Sequence, residues 1–510
     1  MGLFKRSFST RVATTPSQGF SLKLPRQAST LAPEDVYTNA DLDPTPPENR
    51  TWSYGTWFSF WVAASLDPAF WQTGASLIPL GLSVANAIGI VVLGNVVIAV
   101  PIILNGVVGA RLRVPFPVAV RASMGYYFAY FAVVSRFFLA CIWFGVETYN
   151  GGSAMTQFLL TTKDMCSYFL FWLVQLPFFF IDSNKLRYAF VFKSVVVPVT
   201  ALAMMGSLVH SAGGSGPLFG RPSSVSGASF SSYSKSNHAQ YTQALAIPVS
   251  ALFITICGIL AASASITVYG GEALWSPFDI MDMWTDRASI AFAALAWMLA
   301  GITANITANS IAAANDLVTL FPRFVNITRG QILTSLIGGW AVVPWYIMAS
   351  SGTFLTFVSG YSIVLGPLAA FITCDYYLVK KFAYHVPELY DPRGIYRYSG
   401  GFNLRAVVTL VAVVAPLLPG LIDAINPDVY IGNISWWYAP GFITAYIPAL
   451  LVYYALNVAF PHYPSLVAEA VTADDMDMSV GPEYDQSFKA SESEPKEAYE
   501  MSGLPPVSHA

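Results

Sequence analysis

Charge is what this sequence has least of. Only 11% of its 510 residues are Asp, Glu, Lys or Arg, against 55% that are hydrophobic, whereas an ordinary soluble domain carries about 25% charge. An apolar excess of that size is more than one globule of this length can bury, so part of the solvent must be lipid. The few charges sum to −3, and no basic cluster is dense enough for a nucleic-acid surface. Cysteine is scarce too. Cys141, Cys166, Cys257 and Cys374 all lie in apolar stretches, none at CxxC or metal-ligand spacing. That argues against a disulfide framework and for four small core residues. The five histidines form no HExxH motif. Without a nucleophile–base pair or a phosphate-cradling loop, no metal, no cofactor and no enzyme is expected.

The two ends differ from the middle. The start, MGLFKRSFSTRVATTPSQ, is basic and rich in Ser and Thr, with no early acid. Residues 1–50 fit a solvated cytoplasmic tail and also resemble an organelle transit peptide; an apolar signal-peptide core is absent. Residues 461–510, with ADDMDMSVGPEYDQ and SESEPKEAYE, are acidic and polar, which is the composition of a disordered tail. Residues 51–460 are left as an all-α, polytopic membrane domain.

A membrane-crossing helix needs about 20 mostly apolar residues. Eleven stretches qualify: 55–80, 84–108, 126–150, 163–182, 187–210, 242–268, 288–313, 330–349, 353–378, 404–424 and 436–459. Asp67-Pro68 interrupts the first, which predicts a discontinuous helix of the kind tolerated where backbone lines a cavity. Lys and Arg should gather in cytoplasmic loops. They do so after the second span (Arg111, Arg113, Arg121), after the fourth (Lys185, Arg187), after the seventh (Arg323, Arg329) and between 378 and 404 (Lys380, Lys381, Arg393, Arg397). Strict alternation through eleven spans puts the later clusters on the wrong side. One more crossing between about 210 and 242 would restore them all. That interval, HSAGGSGPLFGRPSSVSGASFSSYSKSNHAQYT, is too hydrophilic to cross lipid as a plain helix.

Polar side chains inside spans are costly and mark function. Trp143 and Glu147 are four residues apart and share a helix face. The indole can stack on a planar heterocycle and the carboxylate can accept its N–H donors; the plainer alternative is a packed Trp and a Glu satisfied by a neighbouring helix. Asn305 and Asn309 have the same spacing, and their amides could contact a ligand or tie helices together. Asp67, at the break, could carry a proton or cap the helix that follows. Arg136 and Lys193 lie in or near spans. Either could pair with Glu147, and Lys193 could snorkel to a membrane end.

Seven motifs in order carry a resemblance: NRTW (Asn49–Trp52), WQTGASLIPLGLS (Trp71–Ser83), WFGVE (Trp143–Glu147), LWSPFDIMDMW (Leu274–Trp284), NITANSIAAANDLVTLFPRFVNITRG (Asn305–Gly330), CDYYLVKK (Cys374–Lys381) and NLRAVVTLVAVVAPLLPG (Asn403–Gly420). Together they resemble the fungal uracil/allantoin permease branch of the nucleobase–cation symporter family, over roughly residues 39–460. The resemblance implies a LeuT-like bundle of two inverted five-helix repeats plus two further helices, with the site at mid-membrane. It also implies twelve spans. Here VSGAS (Val225–Ser229) runs straight into FSSYSKSN (Phe230–Asn237), so the family's sixth span is expected to be missing.

By the resemblance, Trp143, Glu147 and Asn309 contact substrate, Asn305 supports them, and Val364 stands where relatives often carry a Phe gate. Core packing is the other reading of Val364. Uracil-type relatives carry Gln at Glu147, and a carboxylate there would favour a cationic ligand. Thr303 matches a hydroxyl that helps hold sodium in sodium-coupled relatives, while Ala304 replaces another, which points to H+ as the coupling ion. Three functions stand together. One is proton-coupled uptake of uracil, allantoin or a related heterocycle at the plasma membrane, with an organelle left open by the basic start. The second is a carrier for a cationic vitamin or nucleoside. The third is a non-transporting product, from a truncated isoform or a faulty gene structure.

Overall fold

A computed structural model of the chain describes residues 22–475, apart from 25–28, 160–163, 182–185, 215–242 and some single positions, mostly within 427–440. Among the described residues the architecture is helical, with two isolated β-bridges. Eight helical segments are long and apolar enough to cross a membrane. The other three expected spans are interrupted or short. The first is α1 (Tyr54–Ser65) and α2 (Pro68–Ala75), separated by the break predicted at Asp67-Pro68. Another is α5 (Asp164–Gln175), which tightens into a 3-10 turn at Leu176–Phe180. The last is α11 (Ile327–Leu336), which widens into a π turn and restarts as α12 (Pro344–Ile347).

The long helices are α3 (Val84–Leu112), α4 (Ala129–Leu159), α6 (Leu186–Ala212) and α7 (Gln243–Tyr269). A short α8 (Pro277–Asp282) precedes α9 (Arg287–Ala304), which passes through a π stretch, Asn305–Ser310, into α10 (Ile311–Leu320). Then come α13 (Ser351–Cys374), α14 (Leu404–Val414) with α15 (Leu418–Ile425), and α16 (Phe442–Ala459). The distribution of polarity is the reverse of a soluble protein's. Leu93, Val96 and Val100 of α3, Phe192 and Val195 of α6, and Leu451 and Val458 of α16 face outward, while Asp67, Glu147, Lys193, Asn305 and Asp316 are buried. Lipid is a good solvent for the first set and a poor one for the second.

Three of the basic loops meet at one end of the bundle. There residues 39–45 cross the ends of several helices. Asn39 Nδ2 donates to Val325 O at 3.2 Å, the Ile327 N–H donates to Asp41, and the Thr45 N–H donates to Arg113 O at 2.8 Å. Tyr390 OH donates to Leu42 O, and Arg121 Nη1 to Leu389 O at 2.9 Å. The loops carrying Arg113, Arg323 and Arg393 thus share one side, as the positive-inside rule demands.

Helices α6 and α7 run in the same direction, away from that end. Lys193 of α6 reaches Ala300 and Met204 reaches Trp297, one turn nearer the far end. On α7, Ser250 contacts Trp61 O, whereas Ser265 accepts from the Leu274 N–H beside the far loops. The interval that joins them therefore has its two ends at opposite ends of the bundle. The expected loss of a span falls in this interval, and residues 215–242 lie outside the described residues. Of the expected tails, 1–50 and 461–510, residues 1–21 and 476–510 lie outside the described residues as well.

One packing expectation needs correcting. Cys141, Cys257 and Cys374 are buried, but Cys166 is exposed near the start of α5. Met165, Phe169 and Leu170 are exposed with it, while Tyr168 on the other face of α5 is buried.

Candidate functional site

The break between α1 and α2 follows from local chemistry. Pro68 has no N–H and disfavours helical geometry at the residue before it. Asp67 is accordingly extended and caps α2, accepting from the Phe70 N–H at 2.9 Å. The ends of the two half-helices open into a cleft walled by α3, α4, the α9–α10 span and α13, with about 1170 Å³ of open space. Among the residues lining it are Asp67, Asn95, Arg136, Trp143, Glu147 and Asn309.

Trp143 and Glu147 share the face of α4 that their spacing predicts. The Trp143 ring meets Phe354, Phe357 and Tyr361 of α13 edge-on, with centroids 6.3, 5.8 and 6.5 Å away. One turn later Glu147 is only 2% exposed, and neither of its carboxylate oxygens has a hydrogen-bond partner among the described residues. Across from it α9 presents Gly301, where a Cβ would stand 3.3 Å from Glu147 O and 3.7 Å from Oε2. The charges that act on Glu147 are those of Asp67 and Lys193.

Lys193 does not snorkel. It is fully buried in α6, and its Nζ donates to Ala300 O at 3.1 Å. Asp67 and Glu147 are the carboxyls whose charges reach it. Arg136 does not pair with Glu147 either. It forks onto Asp316 of α10, with Nε to Oδ2 at 2.8 Å and Nη2 to Oδ1 at 2.5 Å.

Asn305 and Asn309 divide the work of their shared face. Asn309 lines the cleft, and its Nδ2 donates to Asn305 Oδ1 at 2.9 Å. Asn305 stands behind it, fully buried, with Nδ2 bonded to Phe144 O, Thr148 Oγ1 and Gln175 Oε1. Two expected site residues stand off the cleft. Thr303 is buried and its hydroxyl donates to Leu299 O and Ala300 O of its own helix, while the neighbouring Ala304 lines the cleft. Val364 packs, half-buried, among apolar side chains of the α13–α14–α16 contact, and it is Leu365 that lines the cleft. One residue is 100° of helix, enough to turn a side chain from a cavity into a packed seam.

Sequence reasoning left Asn95 out of the site. It sits in an otherwise apolar run, and its Nδ2 donates to Val91 O one turn back at 2.9 Å. Asn95 is the middle one of three asparagines, between Asn86 and Asn105, in a mainly apolar 29-residue helix, and that was the available signal. Near the far end, Gln72 Nε2 donates to Asn150 Oδ1 at 3.0 Å, closing α2 onto α4 above the cleft.

A broken first helix, a polar cleft at mid-bundle and an apolar exterior define a polytopic membrane carrier. Residues 44–439 match the family described as permeases for cytosine/purines, uracil, thiamine and allantoin, and the chain belongs to that family. A permease of uncharacterised function from Schizosaccharomyces pombe is 33% identical, covering 85% of this chain and 86% of its own length. The uridine permease of Saccharomyces cerevisiae is 28% identical, covering 83% of this chain and 75% of its own. Among solved structures, Mhp1 in an inward-facing conformation superposes with a TM-score of 0.67 at 21% identity, over 84% of this chain and 96% of Mhp1. The fold is therefore the LeuT-like one expected from the motifs, and the chain is a permease rather than an enzyme.

Proposed function

We propose that this chain is a secondary carrier that takes up a small nitrogen heterocycle together with a proton across the plasma membrane. One observation carries the reading: Glu147 is buried at the cleft with both oxygens lacking a hydrogen-bond partner among the described residues. A buried polar group without a partner costs stability. A substrate that donates to it removes the cost on binding, which is a built-in selection for N–H groups. Trp143, held edge-on by three rings of α13, offers a flat face for the heterocycle to stack on. Asn309 adds an amide at the same depth.

Uracil, allantoin and related heterocycles carry such N–H donors. A cationic vitamin or nucleoside is the second reading, and Glu147 favours it specifically, because an ionised carboxylate only accepts. Asp67 is the proposed proton carrier. It lines the cleft at the helix break and shares its electrostatic environment with Glu147 and Lys193. Ala304, which has no hydroxyl to offer a cation, stands where the resemblance places a second sodium ligand, and this supports a proton over sodium.

The test is radiolabelled uptake into cells lacking their own carriers, at external pH of about 5 and about 7.5, with unlabelled uracil, allantoin and thiamine as competitors. Faster uptake at the lower pH is expected. Uptake indifferent to pH removes the proton. Uptake of none of these ligands by correctly inserted protein leaves the non-transporting reading in place.

A further inference from the structure

The hydrogen bonds behind Asn309 have a direction, and the direction begins at a group that cannot turn. The Thr148 hydroxyl donates to Phe144 O, a backbone carbonyl of its own helix, at 2.7 Å. Its one hydrogen is thereby spent, so its oxygen can only accept from other neighbours. Gln175 Nε2 at 3.1 Å and Asn305 Nδ2 at 3.1 Å both donate to it. With its nitrogen held by Thr148, Gln175 presents Oε1 to Asn305 Nδ2 at 3.0 Å. Phe144 O, 3.2 Å from the same nitrogen, is a further fixed acceptor. Asn305 is therefore held nitrogen-first into α4 and α5. Its oxygen points back along the π stretch and accepts from Asn309 Nδ2 at 2.9 Å.

Turning any amide in this chain would set oxygen against oxygen or N–H against N–H in a site sealed from water. Gln175, Thr148 and Asn305 are all fully buried, and there an unmet polar group costs about 1–3 kcal/mol.

We propose that the Thr148–Gln175–Asn305 relay orients the Asn309 carboxamide so that its oxygen is the atom offered to the cleft, and that Gln175 is a positioning residue for substrate selection. The proposal rests on the reading that the cleft binds a nitrogen heterocycle, and it narrows the class. With both Glu147 oxygens unpartnered among the described residues and the Asn309 oxygen at the same cleft, its polar floor can accept from a ligand's N–H groups. An exocyclic amino group beside a ring nitrogen matches it, as in a 4-aminopyrimidine: the amino group donates to one Glu147 oxygen, and the single proton between the ring nitrogen and the other oxygen is shared by the pair, in the bidentate manner that amidine-like groups use. A 4-oxopyrimidine sets a carbonyl oxygen next to its ring N–H, and that oxygen would face acceptors. Both amides lie in the π stretch Asn305–Ser310, and of the two only Asn309 lines the cleft.

The test uses the full-length chain purified in detergent and has a ligand-free arm and a ligand arm. In the first, Asn309→Asp and Asn309→Ala are melted across pH about 5 to about 9. If residue 309 faces an oxygen of Asn305, the new carboxyl must keep its proton in order to donate, so the melting temperature of Asn309→Asp relative to Asn309→Ala falls as pH rises. A difference that is flat or rises with pH overturns the relay.

In the second arm, cytosine and uracil are titrated by ligand-induced shift of melting temperature. Cytosine is expected to act at a concentration roughly tenfold below uracil, the discrimination an unmatched buried polar contact commonly gives. Gln175→Met should narrow that ratio, and Gln175→Glu, which still accepts from Asn305, should keep it. Equal or better binding of uracil, or a ratio untouched by Gln175→Met, overturns the proposal. If neither pyrimidine shifts the unsubstituted protein, the heterocycle reading falls, and the carboxyl titration still decides the relay.

Discussion

Arg136 on α4 and Asp316 on α10 are joined by two parallel hydrogen bonds, at 2.8 and 2.5 Å, across 180 residues of sequence. The aspartate side chain is fully enclosed and the arginine nearly so, and the guanidinium also lies over the Phe116 ring, 4.1 Å from its centroid. The pair clamps the two helices that carry Glu147 and Asn309. Such a pair adds little over an apolar contact of the same shape, but removing one member leaves an uncompensated charge worth about 3–5 kcal/mol. Asp316→Asn is therefore expected to lower the melting temperature sharply, and Arg136→Met combined with Asp316→Leu to recover most of it. Thermal melting in detergent of the two variants checks this.

Glu147→Gln replaces an acceptor with a group that also donates. Charge-assisted hydrogen bonds contribute about 1.5–3 kcal/mol. Binding of a cationic aminopyrimidine should therefore weaken by about ten- to a hundredfold, while uracil is retained or improved. Competition binding with both ligands measures it. A cationic ligand bound equally well by the variant would remove Glu147 from the substrate's contacts.

The approach of α4 to α11 leaves no room for a methyl group. A Cβ at Gly338 would sit 2.5 Å from Cys141 O, and one at Gly145 would sit 2.5 Å from Gly338 O. Small residues let membrane helices pack backbone to backbone. Gly338→Ala should cost about 1–3 kcal/mol through overpacking and move Trp143 and Glu147 with α4. A melting temperature unchanged from the unsubstituted protein would refute the close approach.

Asp279, in α8 outside the spans, is pushed up to about 6 by burial first and by the neighbouring Asp282 second, against a backbone hydrogen bond at Ser276. The folded chain thus holds a proton that the unfolded chain releases near 3.8. This contribution to stability is present at lower pH and is lost as pH rises through about 6. Asp279→Asn should flatten the dependence of melting temperature on pH between about 4 and about 6. The same slope in variant and parent would contradict it.

Much of this architecture was legible in the chain itself. Apolar stretches of membrane length fix where helices lie, because lipid forces every backbone polar group to bond within its own segment. The break at Asp67 follows from Pro68. Four-residue spacing places Trp143 with Glu147 and Asn305 with Asn309, since helical periodicity is a local property. What that periodicity cannot supply is the rotation of each helix about its own axis. In a soluble helix the polar face marks the outside; here both the lipid and most neighbouring helices are apolar, so pattern alone leaves the inward face undetermined. Packing assigned the cleft to Leu365 rather than Val364 and set Thr303 against its own backbone. It also chose the partners. Arg136 found Asp316 and Lys193 found the Ala300 carbonyl, while Gln175 came to stand behind Asn305. Those pairings join residues more than a hundred positions apart, and they exist because a buried charge or amide must be met by whatever group the assembled bundle places beside it.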